Sequence, residues 1–557
     1  MMTGFAKLHP VILGAAACAT VALVLIAGVA ESEEPAPPPR TLAELGEQPA
    51  PGVEIPNSLD AAAVARATAG GLPYESRGVW GMGPQVTSDQ VQRALVLADV
   101  APIAGPVQES WQSIHDHYQQ PTWLADGKFG IFIHFGLYSI PGVNEWYQKY
   151  MYSHGDIRRQ HIERFGPLDQ FGYKDFIPRF TLPNFRPNEW AEVFAASGAR
   201  WVMPTAEHHD GYSLWNSRVN PFNSVRTGPH RDIVGELAKS VRREGLKFGV
   251  TNHTIEHYDF IETQNIPAEV PTDLGDPAYA DFYRVDHSDE RLVEHLANWT
   301  TRNIELIDGY QPDLIWFDNG LNHRAYDPLK LKVAAYYYNR AAEWNKEVTC
   351  TGKGTCFIAG GIQDFEDFAR VPRDATDFTW MVHDRLIDTW GYSENAGIRT
   401  VDNIIRRLIE VVARNGVYAL NVAPCGDGTI PDDQQQALTQ IGAWLRVNGE
   451  GIYGTRPWST ASEGAALTDG NQTYSSKDIR FTAKENCVFA FIMQWPQEAT
   501  IAIKSLAKDK ATVTSVKLLG HDAELTFQQS LSELNVSLPP DFNCSIGCLK
   551  VSIPTQK

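Results

Sequence analysis

Short, uninterrupted apolar runs recur through the middle of the chain. They are FGIFI (129–133), ARWVMPT (199–205), LKFGVT (246–251), DLIWF (313–317) and VYALNV (417–422). Runs of this length without polar alternation are what strands covered on both faces look like. Between them, apolar residues return at helical spacing over 188–198, 232–245, 291–310, 330–345 and 400–416. In 232–245, Ile233, Leu237 and Val241 fall on one face, and Gly198 and Gly245 stop two of these helices. Strand–helix alternation over 121–458 predicts an α/β fold, a (β/α)8-like barrel, with a doubly wound sheet as the structural alternative. No Gly-x-Gly-x-x-Gly follows a strand, which argues against the dinucleotide-binding version.

The texture changes after Trp458. DIRFTAKENCVFAFIMQW, ATIAIKSL, ATVTSVKLLG, ELTFQQ and CLKVSIP alternate apolar with polar, and turns separate them. That pattern predicts a small antiparallel β-sandwich over 459–557. Upstream, helical spacing at 88–100 and 109–118 belongs to an N-terminal extension, 58–120, expected to pack on the main domain. Residues 31–57, rich in Pro, Ala and Glu, read as a linker.

Residues 11–30 carry no charge, follow Lys7 and precede Glu31, Glu33 and Glu34. They predict a signal peptide or signal anchor within residues 1–30, and the run could also just span a bilayer. A secreted or extracytoplasmic setting follows, with membrane contact only through 11–30 should they stay uncleaved. Six cysteines remain once Cys18 is set aside, an even number that predicts pairing in such a compartment, with Cys350 near Cys356 and Cys544 near Cys548. Sequons begin at Asn252, Asn298, Asn471, Asn535 and Asn543. The formal net charge of −19 argues against a nucleic acid or an anionic membrane surface as partner. Oligomeric state is not legible.

Polar residues at strand ends are the candidate chemistry, since a barrel builds its site there. His134 stands where the first apolar run stops, and Glu145 and Trp146 follow. Glu207, His208, His209 and Asp210 end the second run. The adjacent histidines lack a third ligand at zinc spacing, so no metal is expected and they read as partners for substrate hydroxyls. Trp316 and Asp318 share a face by the period-2 rule, which places a carboxylate beside an aromatic in a nucleophile position. IQDFEDF (362–368) offers Asp364, Glu366 and Asp367 as a second carboxylate.

Taken in order, these blocks resemble glycoside hydrolases of the family-29 α-L-fucosidase type. The resemblance runs from Trp123 to Trp458 through KFGIFIHFGLYS with Glu145 and Trp146, AEHHDGYSLW, GPHRDIVGELAKSVRREGLKFGV, WFDNG, DTWGY, LNVAPCGDGTIP and WLRVNGEGIYGTRPW. It implies a catalytic barrel, a C-terminal β-sandwich and retaining hydrolysis without a cofactor, with a fucosylated oligosaccharide or glycoconjugate as substrate. It also implies that Asp318 is the nucleophile, that Glu366 best matches the acid/base, with Asp364 and Asp367 as alternatives, and that His134, Glu145, Trp146, His208, His209 and Trp316 contact the sugar. Fucose presents hydroxyls on one side and an apolar methyl on another, so Trp146, Trp316 and Phe135 are candidates for the apolar wall. The chain departs from the family where aromatics often follow the third strand: it has Thr251, Asn252, His253, Thr254, Glu256 and His257. A guanidinium common in the family is not evident, and Lys353 is the nearest cation. Two further functions fit the same motifs: a fucose-binding protein impaired in turnover, and an α-L-galactosidase or transfucosidase.

Overall fold

The computed structural model describes residues 83–554, except Asp99, Asn322, His323, Thr355, Ile358, Asp367, Ala369 and Asn543. The expected leader (1–30), the linker (31–57) and residues 58–82 of the extension lie outside the described residues.

Eight parallel strands close a barrel in chain order. They are β1 (Phe129–Ile133), β2 (Trp201–Glu207), β3 (Lys247–Asn252), β4 (Leu314–Phe317), β5 (Thr349–Lys353), β6 (Gly361–Asp364), β7 (Trp380–Arg385) and β8 (Gly416–Val422). β8 returns to β1, with Phe129 opposite Tyr418 and Ile133 opposite Val422, which closes the sheet and excludes the doubly wound alternative. The five apolar runs are β1, β2, β3, β4 and β8. β5, β6 and β7 had no such signal, because TCTGK, GIQD and WMVHDR break the apolar run with polar residues towards their C-terminal ends.

Alternation decides which side chains fill the barrel. Phe132, Trp201, Met203, Leu314, Trp316, Met381 and Val417 belong to one interior cluster. Residues of the other parity, such as Ile131, Val202, Ile315, Val382 and Leu420, join the outer core under the helices. Gly130 admits the Trp201 indole, since a Cβ at Gly130 would lie 2.1 Å from it. The five expected helices are Pro187–Ala196, Ile233–Arg243, Asp289–Tyr310, Asp327–Trp344 and Val401–Val412. Helices Ser88–Ala98 and Trp111–His117 of the extension lie against this ring: Gln90 Nε2 donates to Asp289 Oδ1 at 2.6 Å, and Trp111 Nε1 donates to Asp327 Oδ2 at 3.1 Å.

Two antiparallel sheets follow. One has the order β13-β16-β11-β10-β9 and the other β12-β15-β14. Their strands are β9 (Arg456–Glu463), β10 (Ile479–Lys484), β11 (Cys487–Ile492), β12 (Thr500–Ile503), β13 (Ser515–Leu518), β14 (Phe527–Gln529), β15 (Leu534–Ser537) and β16 (Gly547–Ser552). The sheets share a core that includes Phe481, Val488, Ile503, Val516, Val536 and Val551. A buried ion pair ties them to the barrel: Arg480 Nη2 on β10 lies 2.8 Å from Glu410 Oε1 on the helix Val401–Val412.

The expected cysteine pairings are not formed: Cys350, Cys356, Cys425, Cys487, Cys544 and Cys548 are all unpaired. Close spacing does not turn the sulfurs together. Cys548 lies against Gly451, while Cys544 borders Gly547. No described helix is long and apolar enough to cross a membrane.

Candidate active site

The six residues that the family resemblance places against the sugar all reach one cavity of about 240 Å³ at the C-terminal end of the barrel. His134, Glu145, Trp146, His208, His209, Trp316, Asp318 and Glu366 line it, together with Asn319, Lys353, His383 and Trp390. The reason is local. The inward parity carries on to the last residue of a strand or one residue beyond it, so Phe132 leads to His134, Trp316 to Asp318 and Thr351 to Lys353.

Asp318 is the most strongly held of these groups. Its Oδ1 is 2.7 Å from Lys353 Nζ, and its Oδ2 is 2.6 Å from His253 Nδ1. Its Oδ1 also accepts the Asn319 N–H at 2.8 Å. Burial alone would raise this carboxyl, but Lys353 and His253 outweigh it and hold Asp318 well below the usual carboxylate range. Conversely, burial would lower the Lys353 ammonium, but Asp318 and Glu366 hold it above its ordinary value.

Lys353 also reaches Glu366 Oε1 at 3.0 Å. The two contacts, 2.7 and 3.0 Å from one nitrogen, limit the separation of Asp318 Oδ1 and Glu366 Oε1 to 5.7 Å. Glu366 has φ +52°, a left-handed conformation that side chains adopt at a cost. Asp364 pins it there, because Asp364 Oδ1 accepts the Glu366 N–H at 2.8 Å. The other oxygen of Asp364 accepts Trp316 Nε1 at 2.6 Å and His383 Nδ1 at 2.9 Å. Asp364 therefore braces the site from behind and does not line the cavity. Asp367 lies outside the described residues.

The histidines present chosen nitrogens. His134 Nδ1 donates to Asn421 Oδ1 at 2.6 Å, which leaves Nε2 as an acceptor. His209 Nδ1 donates to the His253 carbonyl at 2.9 Å. His383 is committed to Asp364 in the same way. Burial holds His134 and His208 well below the ordinary imidazole range and lowers His209 to about 3, so these rings are neutral. Glu145 faces them, with Oε2 accepting the Gly391 N–H at 2.9 Å. Gly391 is required there, since a Cβ would lie 2.8 Å from the Glu145 nitrogen. Burial raises the Glu145 carboxyl, and the Gly391 N–H partly offsets it.

Donor atoms of His134, His208 and His253 lie within 4.8 Å of one another, as do those of His209, His253 and Asp318. His253 is thus the third partner that the sequence reading lacked. Both of its nitrogens are already hydrogen-bonded, to Asp318 at 2.6 Å and to Thr251 Oγ1 at 2.8 Å. Neither group offers three open donors, and none of these residues is identified as a metal ligand; the open nitrogens suit hydroxyls.

Three expectations need correction. Phe135 does not form the apolar wall: it follows the strand with the other parity and packs on Phe180, Phe185 and Trp190. Phe132 lies under the site instead, its ring 4.6 Å from that of His134 and 5.2 Å from that of Trp316. Glu207 and Asp210 stay structural: Glu207 pairs with Arg302 at 2.6 Å, and Asp210 Oδ2 accepts the Tyr173 hydroxyl at 2.6 Å. The Asn252 sequon is closed to glycosylation in the folded chain, since Asn252 is 2% exposed and donates to Asn303 Oδ1 at 3.1 Å. Sequence reading missed His253 and His383 and undervalued Lys353. The parity of Thr251, Met381 and Thr351 was the signal that pointed to them.

The comparisons agree with this geometry. A sequence model of the alpha-L-fucosidase family matches residues 95–450, and one of the alpha-L-fucosidase C-terminal domain matches residues 471–549. The tissue alpha-L-fucosidase of Rattus norvegicus is 30% identical over 444 residues, which span 77% of this chain and 88% of the rat protein. The plasma alpha-L-fucosidase of Homo sapiens is 31% identical over 435 residues, 75% of this chain and 85% of the human protein. The solved structure of a Thermotoga maritima alpha-fucosidase in complex with fucose aligns with a TM-score of 0.65 at 29% identity, covering 80% of this chain and all of that one.

Proposed function

The chain belongs to the alpha-L-fucosidase family of glycoside hydrolases, and from that premise we propose that it removes terminal α-L-fucosyl residues with retention of configuration. One observation carries the reading. Asp318 Oδ1 and Glu366 Oε1 share the Lys353 ammonium, which limits their separation to 5.7 Å. Retaining glycosidases place their two carboxyls roughly 5–5.5 Å apart, while inverting ones need about 6.5–9.5 Å to seat a water.

The steps follow from the groups in place. The sugar enters with its hydroxyls against His134 Nε2, His208, His383 and Glu145 and its apolar edge against Trp146, Trp316 and Trp390. Asp318, kept ionised by Lys353 and His253, attacks the anomeric carbon. Glu366 gives a proton to the departing oxygen, and the bond to the aglycone breaks. Glu366, now a base, takes a proton from water, which displaces Asp318 and releases fucose.

The experiment is proton NMR of the first product formed from an aryl α-L-fucoside. The α-anomer of fucose should appear first. Initial β-anomer would overturn retention, and no hydrolysis of fucosides at all would overturn the substrate assignment.

We further propose an extracytoplasmic setting, supported by the uncharged run at 11–30 and by the exposed sequon at Asn471. Endoglycosidase treatment of the protein from its native source should lower its mass. An unchanged mass together with an intact N-terminus and a cytosolic fraction would sink this reading.

A further inference from the structure

Glu256 is a buried acid that the reaction above leaves unused. It follows β3 and is 1% exposed. Both of its oxygens are closed to solvent and have no hydrogen-bond partner among the described residues. Nε2 of His209 lies 3.4 Å from Glu256 Oε2, and the same nitrogen lies 3.5 Å from Asp318 Oδ2.

The far side of the His209 ring settles what Nε2 carries. Nδ1 donates to the His253 carbonyl at 2.9 Å, so in the neutral ring Nε2 holds a lone pair. A lone pair turned towards two anionic oxygens is repulsive, and a proton placed between them removes the conflict. Asp318 is not the holder, because it accepts from His253 at 2.6 Å and from Lys353 at 2.7 Å. Around Glu256 stand Asp318 from β4, Lys353 from β5, Glu366 from the loop after β6, Asp259 from its own segment, His209 from the end of β2 and Tyr326. Three of these carry carboxyl groups and one is an ammonium. Burial, then the Asp318 charge, push Glu256 well above its ordinary value. Two carboxylates this near the same point do not both ionise.

We propose that Glu256 is a positioning residue that stays a neutral carboxylic acid and donates its hydrogen to His209 Nε2. It fixes the His209 ring and leaves Asp318 as the single negative charge at the attacking position. Glu256 does not line the cavity, so it acts through His209 and not on the sugar. The kinetic consequence rests on Asp318 being the nucleophile; the place of the proton does not.

The test compares Glu256→Gln, whose amide keeps a donor, with Glu256→Met, which has none. On an activated aryl α-L-fucoside, which departs without a proton, Glu256→Gln should keep kcat/KM within about threefold at mildly acidic pH. Glu256→Met should lose about tenfold or more, the scale of one lost buried hydrogen bond. With rising pH the wild type should lose rate as Glu256 ionises, and Glu256→Gln should not. In the infrared difference spectrum of wild type minus Glu256→Gln, the carbonyl stretch of one buried protonated carboxyl should appear. Absence of that band in an active wild type, or equal damage by Gln and Met, would overturn the proposal and leave the assigned reaction standing. A band of this kind in a folded protein inert towards every fucoside would keep the proton on Glu256 and overturn the reaction.

Discussion

Lys353 Nζ and Asp318 Oδ1 stand 2.7 Å apart at the ends of neighbouring strands. Strand β5 pairs with β4 so that Trp316 faces Thr351, which brings the next inward residues, Asp318 and Lys353, side by side. Each holds the other in its charged form. The ammonium keeps the nucleophile candidate ionised in a place where burial would protonate it.

Replacing Lys353 with Met should therefore lower kcat/KM by about 10²–10³-fold, the cost of losing one preorganised charge partner. Lys353→Arg should keep more activity, since a guanidinium can also span two carboxylates. The sign in pH is fixed. Lys353 depresses Asp318, so its removal raises that carboxyl, and the acid limb of the kcat/KM profile should move to higher pH. An acid limb that stays put would show that Asp318 does not set it.

Asp318→Gly should remove the attacking group. Turnover should fall by about 10⁴-fold or more, with the fold retained, because the apolar core is untouched and Lys353 keeps Glu366 as a partner at 3.0 Å. Azide should enter the vacated space, restore part of the rate and give a fucosyl azide of inverted configuration. Near-normal activity without azide would rule Asp318 out.

Glu366→Ala tests the second carboxyl. On a poor leaving group the rate should fall by about 10²–10⁴-fold, as expected for lost general acid catalysis. On an activated aryl fucoside the first step should lose far less. Equal losses on both substrates would move the role elsewhere.

Glu410 predicts stability and not rate. It pairs with Arg480 at 2.8 Å and accepts the Tyr474 hydroxyl at 2.9 Å, and Arg414 reaches it from one turn on. Burial would raise its carboxyl, but Arg414 and Arg480 hold it below the usual range. Glu410→Ala strands two buried guanidiniums and should cost about 3–5 kcal/mol in denaturant unfolding. A depressed carboxyl stabilises above its unfolded value of about 4.3 and loses that contribution as pH falls through the folded value. The gap between wild type and Glu410→Ala should thus narrow in acid. A gap unchanged down to strongly acidic pH would show that the charge on Glu410 is not its source.

The apolar runs at 129–133, 199–205, 246–251, 313–317 and 417–422 determined most of the barrel by themselves, because a strand covered on both faces must be apolar throughout. They also determined that Trp316 and Asp318 share a side, since alternation is a local property. β5, β6 and β7 escaped that reading because their inward ends carry Lys353, Asp364 and His383, side chains used for the site and paired through space. Nor could sequence show that His253 contacts Asp318 across 65 residues, or that Glu256 meets His209 across 47. Phe135 misled for the same reason: its neighbour His134 faces inward, and one step along the chain turns it to the outer core. Local alternation is written in the sequence, whereas closure of the barrel, which gathers the ends of eight strands around one point, exists only in the folded chain, and that closure decided which carboxylate is ionised, which is neutral and which ring nitrogens are free for a sugar.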